Sequence, residues 1–353
     1  MRILHTADIH LKEHEDDRWK VLQKLIELGK EKGIQVLVIS GDLFDQGTDA
    51  ENLRPKIREI FSSTGFKIVL IPGNHDRESY RSEMWFGEDV TVLSSLAVPF
   101  ECQNVRIWGM PFEPIEGEKI LHRLRSLGQN LTEDKKNILL YHGELLDAFF
   151  SRRDFGDEGP ERYMPVKLSY FRDLRLDCIL AGHFHSTFKI WRLENGGYFV
   201  YPGSPISITK REMGQRKVNI FELGQPPEEY RLVSPYFEKV TVEFDPFRDL
   251  HPVETVRRRF DSLQEQAKAI LTLKGLLNGQ AIGMGEKELV KEIKKAVAER
   301  CVVEHYEFRD VQVILEDDLV KRFMQKLEQT GYEEEKRRAL RDRAIRALMD
   351  SRQ

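Results

Sequence analysis

Five short apolar runs in this chain stop in the same way, and that repetition constrains the fold more than any bulk property. Arg2–Thr6 leads into HTADIH, with Asp8 and His10. Val36–Ser40 leads into ISGDLFD, with Asp42, and Lys67–Ile71 into IPGNHD, with Asn74, His75 and Asp76. Asn137–Tyr141 ends in YHGE, with His142, and Cys178–Ala181 in AGHFH, with His183 and His185. Runs such as VLVIS and KIVLI are almost continuously apolar, as strands buried on both faces are. A helical pattern follows the first run: Trp19, Leu22, Leu25, Ile26 and Gly29 share one face with charges opposite. In open sheets of this kind the carboxyl edge of the strands is where ligands bind. The five polar clusters are therefore expected to be parts of one site.

The residue types name the chemistry. Imidazoles mixed with carboxylates suit Mn, Fe, Zn, Ni or Co rather than Mg or Ca alone. Two ions roughly 3.5–4 Å apart are the usual arrangement for displacing an oxygen from phosphorus. Such a pair needs a carboxylate that touches both, and Asp42 is the candidate because its strand should lie between the others. Gly41, Gly73 and Gly182 beside the ligands allow tight turns and close approach. Taken singly, D-x-H is close to noise, G-D-x-x-D could be a turn, and G-N-H-D an Asx-type turn. Jointly, in this order and each after an apolar run, they point to a dinuclear metal site. Asp45 either touches substrate or the ligand shell, or caps a helix starting near Thr48. His5, inside the first strand, reads as packing. His14, His122, His251 and His305 have no partners in the pattern and receive no role.

Further strand patterns fall at Val90–Leu93, Val105–Met110, Phe188–Leu193, Tyr198–Tyr201 and Val218–Leu223, with a hairpin signal at ENGG. The expected fold class is α/β (α+β): a two-layered sheet structure covered by helices over residues 1–224. GQPPEEYRLVSP should be a linker over 225–235. After it, KVTVEF precedes a long helix with the stripe Val253, Val256, Phe260, Leu263, Ala267 and Ile270. A second helix near Lys287–Glu299 and a strand-like Val311–Leu315 complete a small α/β unit over 236–316. The last segment, 317–353, reads as a helical tail with seven Lys/Arg from Lys336 to Arg352 against Asp342 and Asp350. That tail reads as a solvated helix, as a partner-docking surface through Leu340, Ile345, Ala347 and Leu348, or as a DNA contact.

Composition limits the partners. The net charge is -4, so there is no global basic field to attract nucleic acid, and DNA binding would need a local patch or a bound cation. Cys102, Cys178 and Cys301 are far apart and odd in number, which fits neither a disulfide framework nor a zinc spacing. MRILHTAD enters a strand pattern directly, so no leader is expected, and no apolar run approaches the roughly 20 residues of a membrane span. The expectation is a cytoplasmic protein without a membrane partner.

With the five motifs in this order, residues 1–224 resemble the calcineurin-like metallophosphoesterases. The opening MRILHTADIHLK, the variant ISGDLFD and the later VYPGSPISITKREMG resemble the SbcD-type DNA double-strand-break repair nucleases within that superfamily. The resemblance implies a β-sandwich flanked by helices, a small C-terminal α/β DNA-capping domain, and two divalent ions, Mn²⁺ by preference. It implies exonuclease action on double-stranded ends and endonuclease action on single strands. It implies a homodimer that works with an SbcC-type coiled-coil ABC ATPase. Residue by residue, it puts Asp8, His10 and His185 on one metal and Asn74, His142 and His183 on the other, with Asp42 between them. His75 matches the family's acid/base histidine, and Asp76 is expected to accept a hydrogen bond from the His75 ring and fix its tautomer. Apart from the resemblance, Arg77, Arg81, Arg152, Arg153, Lys210 and Arg211 fall in loops after or near the motifs and read either as phosphate contacts or as solvated surface charge. Asp16–Lys32 and the region Tyr80–Phe86 are candidate dimer surfaces. Two rivals stand beside this reading: a small-substrate metallophosphodiesterase or phosphatase of the same superfamily, and a scaffold that tethers DNA ends.

Overall fold

The computed structural model describes residues 1–80, 85–148, 163–297 and 299–351. The chain divides into two compact units, Met1–Phe237 and Glu238–Gln353.

The first unit is built on two six-stranded sheets. β1 (Arg2–Thr6), α1 (Asp17–Lys32), β2 (Val36–Ser40), α2 (Ala50–Phe61), β3 (Lys67–Ile71) and β4 (Val90–Val92) open the chain. β5 (Phe100–Cys102), β6 (Val105–Met110), α3 (Glu118–Gly128), β7 (Lys136–His142), β8 (Cys178–Gly182), β9 (Lys189–Arg192) and β10 (Tyr198–Tyr201) follow, then β11 (Lys217–Glu222) and β12 (Glu229–Arg231). One sheet has the order β12-β11-β1-β2-β3-β4 and the other β5-β6-β7-β8-β10-β9. β1 to β4 run parallel, as do β6, β7, β8 and β10, while β11, β12, β5 and β9 are antiparallel additions toward the edges. Parallel strands need cover on both faces, which explains their unbroken apolar sequences.

Alternation within those runs sends side chains to two different cores. Val36, Val38, Val69, Ile71, Ile138 and Leu140 meet in the layer between the sheets. Leu37, Ile39, Ile68 and Leu70 face the other way and pack with Trp19, Leu22, Leu25 and Ile26 of α1 and Ile57 of α2. Leu139, Ile179 and Phe199 pack with Ile120 and Leu124 of α3 on the far side of the second sheet. Each such fully buried branched side chain contributes roughly 1.5–3 kcal/mol, so the sandwich is a rigid platform for its loops. The apolar face of α1 packs on its own sheet. Tyr80 and Phe86 form an aromatic cluster with Phe44, so the apolar groups read as candidate dimer surfaces have intramolecular partners.

Residues 225–235 differ from a plain linker. β12 lies within them and pairs with β11, because Tyr230 and Leu232 join the core over α1.

The second unit holds β13 (Tyr236–Phe244, which begins at the end of the first unit), α4 (Pro252–Asp261), β14 (Ala267–Leu277), α5 (Gly279–Ile282), α6 (Glu286–Val297), β15 (Cys301–Asp310), α7 (Gln312–Leu315), α8 (Asp318–Glu328) and α9 (Glu334–Ser351). Its sheet has the order β13-β14-β15. Two sequence expectations are corrected here. The long helix stops at Asp261, and Ala267 and Ile270 belong to β14. The i, i+4, i+7 spacing of Leu263, Ala267 and Ile270 also contains the period-two set Ala267, Ala269, Leu271 and Leu273, and that set is buried. Val311–Leu315 is not a strand: the Asp310 carboxylate accepts the Gln312 N–H and starts a helical turn after β15. The tail is helical, but Ile345 of α9 is fully buried with Leu276 and Val311. Part of its apolar stripe is thus core.

Candidate metal centre

All five polar clusters sit at or just beyond the carboxyl ends of β1, β2, β3, β7 and β8. The first two loops are zipped together by backbone hydrogen bonds. Asp8 N–H donates to Gly41 C=O, Ile9 and His10 N–H to Asp42 C=O, and Leu11 N–H to Leu43 C=O. The two sheets touch at Ser40, whose hydroxyl donates to Leu180 C=O (2.8 Å) and whose carbonyl accepts from His142 Nδ1 (2.8 Å). Close approach there needs glycine. A Cβ on Gly41, which has φ +96°, would collide with the His142 ring, and one on Gly182 would collide with Ser40 C=O. Asp8 (φ 56°), His10 (φ 54°), Asp42 (φ 51°) and His183 (φ 95°) are all in left-handed backbone although none is glycine. Such conformations persist only where surrounding contacts over-determine them, and they cluster at functional sites.

The side chains converge in two overlapping groups. Asp8, His10, Asp42 and His185 bring donor atoms within 4.8 Å of one another, all buried. His10 Nε2 lies 3.3 Å from His185 Nε2 and 3.8 Å from Asp42 Oδ2. In the second group, Asn74 Oδ1 lies 2.8 Å from His142 Nε2 and 3.1 Å from His183 Nδ1. Asp42 Oδ2 is 3.3 Å from His142 Nε2, so this one oxygen faces both groups. It is buried and makes no hydrogen bond of its own, whereas Asp42 Oδ1 accepts the His75 N–H at 2.9 Å.

Electrostatics favour a cation here. Burial pushes the Asp8 carboxyl up, Asp42 adds to the effect, and His185, His142 and His10 oppose it. Asp42 is held well below the usual carboxylate range: burial acts against this, and the charges of His142, His10 and His75 outweigh it. His142 is raised to about 10, against its burial, by the charges of Asp42 and Asp8 and by the Ser40 carbonyl. His185 is raised to about 9, again against burial, by Glu212 and Asp8. Protons on these histidines do the work that a bound cation would do. A buried carboxylate oxygen without a hydrogen bond, ringed by imidazole nitrogens, fits a divalent metal by donor chemistry and by the orphaned atom.

His75 stands at the rim. Its ring packs edge-on to His10 at 4.7 Å between centroids, and its Nδ1 is 3.9 Å from Asp45 Oδ1. A cavity of about 460 Å³ opens beside it, lined by Thr48, Asp49, Asn74, His75, Arg77 and Phe112 among others.

Asp76 corrects an expectation. Its carboxylate accepts Gly73 N–H (2.7 Å), Phe44 N–H (3.2 Å) and the Tyr80 hydroxyl (3.3 Å). It therefore staples the loop after β3 to the loop after β2, and the carboxylate facing the His75 ring is Asp45. Burial and the charge of Asp42 push Asp76 up to about 7. Asp45 is not the cap of α2, which is Asp49. Asp45 points to the ligand shell: Oδ1 lies 3.4 Å from His10 Nδ1, and Oδ2 lies 3.1 Å from Lys12 Nζ. His5 packs as expected, bonded to Ser40 Oγ at 3.1 Å and held neutral, its pKa lowered to about 3 by burial. Arg77 is exposed and lines the cavity by His75. Lys210 and Arg211 are exposed on the turn before Glu212. Arg81, Arg152 and Arg153 lie outside the described residues.

Two buried charged residues were not singled out from sequence. Glu212 faces His185, with Oε1 3.4 Å from Nδ1, and also accepts N–H bonds from Ile208 and Thr209. Arg216 is buried and donates to the carbonyls of Ser204, Ser186 and His185, which fixes the loop carrying His185. The only sequence signal was their place in the KREMGQR segment after PGSP.

A family model described as calcineurin-like phosphoesterase matches residues 1–187, more than half of the 353 residues. The chain belongs to this family of metallophosphoesterases, hydrolases of phosphate esters that bind divalent metals. More particularly, the chain is similar to the SbcD component of the SbcCD nuclease of Staphylococcus saprophyticus, 27% identical over an alignment 302 residues long that covers 75% of this chain and 74% of that one. Among solved structures it is similar to TT1561 of Thermus thermophilus (16% identity, 65% of this chain and 98% of that chain, TM-score 0.43). It is also similar to a dimetal phosphatase from Danio rerio (12% identity, 62% and 91%, TM-score 0.42). No helix among the described residues is long and apolar enough to cross a membrane.

Proposed function

We propose that the chain is a two-metal, Mn²⁺-dependent DNA nuclease of the SbcD type that processes DNA double-strand breaks. It would act as an exonuclease on double-stranded ends and an endonuclease on single strands. The observation that carries the reading is Asp42 Oδ2, which faces both donor groups at once. The similarity to the SbcD component of an SbcCD nuclease supports the substrate, because it extends over 75% of the chain, past the 1–187 that the family model matches.

Asp8, His10 and His185 would hold one ion, Asn74, His142 and His183 the other, and Asp42 both. The ions, when bound, would supply charge neutralisation at the scissile phosphate and a water of lowered pKa. His75, at the rim, would give a proton to the departing oxygen, a contribution of about 10²–10⁴-fold. Asp45, facing His75 Nδ1, would orient the ring so that Nε2 meets that oxygen. Asp76 would act indirectly, by holding the loop that presents Asn74 and His75. Arg77, on the cavity beside His75, would contact a DNA phosphate, and Arg81, Lys210 and Arg211 are weaker candidates for the same role. A homodimer and an SbcC-type ABC ATPase partner complete the reading.

The test is a substrate panel with Mn²⁺: bis-para-nitrophenyl phosphate, a mononucleotide, and linear duplex DNA. Release of nucleotides from duplex ends is the expected result. Hydrolysis of the small esters with the DNA intact would move the function to a small-substrate phosphodiesterase or phosphatase.

A further inference from the structure

The imidazoles of the two donor groups are backed by different chemistry. His185 presents Nε2 to His10 and the centre, and its other nitrogen, Nδ1, faces the buried Glu212 carboxylate at 3.4 Å. His10 also has a carboxylate behind it, with Nε2 inward and Nδ1 3.4 Å from Asp45 Oδ1, an ion-pair distance without the hydrogen bond that Glu212 makes. In the other group, His142 Nδ1 meets a neutral acceptor, the Ser40 carbonyl. His183 turns Nδ1 inward, to Asn74 Oδ1. Of the outer imidazole nitrogens described, those of His185 and His10 thus face a carboxylate, and that of His142 faces a neutral carbonyl.

A carboxylate behind a histidine fixes the tautomer with its proton on the outer nitrogen and makes the inner nitrogen a better donor. Glu212 is well placed for this. Its two oxygens are fixed by the N–H groups of Ile208 and Thr209 and by the Thr209 hydroxyl. Arg216 holds the His185 carbonyl from the other side. Lys12, 3.1 Å from Asp45, offsets part of the charge behind His10 but leaves the geometry.

Building on the two-metal reading, we infer that Glu212 is a positioning residue that fixes His185 Nε2 as a metal donor. With Asp45 behind His10, it makes the Asp8, His10, His185 half of the centre the tighter of two unequal metal sites.

Titration calorimetry with Mn²⁺ on the full chain tests this, with Asp8→Asn and Asn74→Ala as markers of the two halves. The wild type should bind two ions in separable steps, and Asp8→Asn should remove the tight one. Glu212→Gln keeps the size and one acceptor oxygen but loses the charge. It should weaken the tight step by about 10-fold and Glu212→Ala by up to about 100-fold, with the weak step unchanged. Near-UV circular dichroism of each variant separates these effects from unfolding, and Glu212→Gln decides alone if the alanine variant does not fold. Equal weakening of both steps, or none in a folded Glu212→Gln, would overturn the inference while leaving the two-metal reading intact. A wild type that binds fewer than two ions would overturn that reading and the inference with it.

Discussion

His142 Nε2 lies 3.3 Å from Asp42 Oδ2, although the two residues belong to different sheets of the sandwich. The contact exists because β2 and β7 present their carboxyl ends to each other across Ser40, whose carbonyl orients the same imidazole. A site divided between two sheets is held together by the packing beneath it, and its geometry is as rigid as that packing.

Asp42→Asn tests the bridging role. The amide keeps an acceptor for the His75 N–H but removes the charge shared by both groups. Binding of Mn²⁺ measured by equilibrium dialysis should fall at both sites, not one. Loss of a single ion with the other retained would assign the bridge to a different residue.

Metal uptake should release protons. His142, raised to about 10, and His185, raised to about 9, both carry a proton at neutral pH in the metal-free chain. A metal-bound imidazole must give that proton up, so affinity rises with pH up to those values. Calorimetry in buffers of different ionisation enthalpy should find net proton release at about pH 7.5, falling toward pH 10. An affinity that is flat between about pH 6 and pH 9 would contradict the charge pattern.

The tail is part of a core. Ile345 is fully buried with Leu276 and Val311, and Ile345→Ala should destabilise the second unit by about 2–5 kcal/mol. Urea unfolding followed by circular dichroism measures this. An unchanged midpoint would mean that the apolar stripe of α9 is available to a partner after all.

The sequence showed the centre clearly because its candidate ligands arrive in contiguous motifs at strand ends, where a buried apolar run makes an Asp or His conspicuous. Asp8, His10, Asp42, Asn74, His142, His183 and His185 come together at one edge of the sandwich. Glu212 and Arg216 were not legible, since a single charged residue in a turn carries no mark of burial, and only the fold brings Glu212 to His185. Asp76 was misread for a related reason: adjacency to His75 in sequence suggested a contact, while the turn gives both carboxylate oxygens to backbone N–H groups. β14 was hidden by a stripe that satisfies the helical and the strand period at once. The sandwich itself was readable from the unbroken apolar strands, but the way alternate residues of β2 and β3 serve two cores appears only when both faces are covered.

The central claim is that this centre cuts DNA with His75 as its proton donor. The direct measurement is a cleavage time course on end-labelled linear duplex DNA with Mn²⁺ or chelator, the wild type beside His75→Asn. The account predicts Mn²⁺-dependent loss of end nucleotides, slowed about 10²–10⁴-fold in a variant that still binds both ions. Intact DNA with the wild type, or a variant that cuts as fast as the wild type, would contradict it.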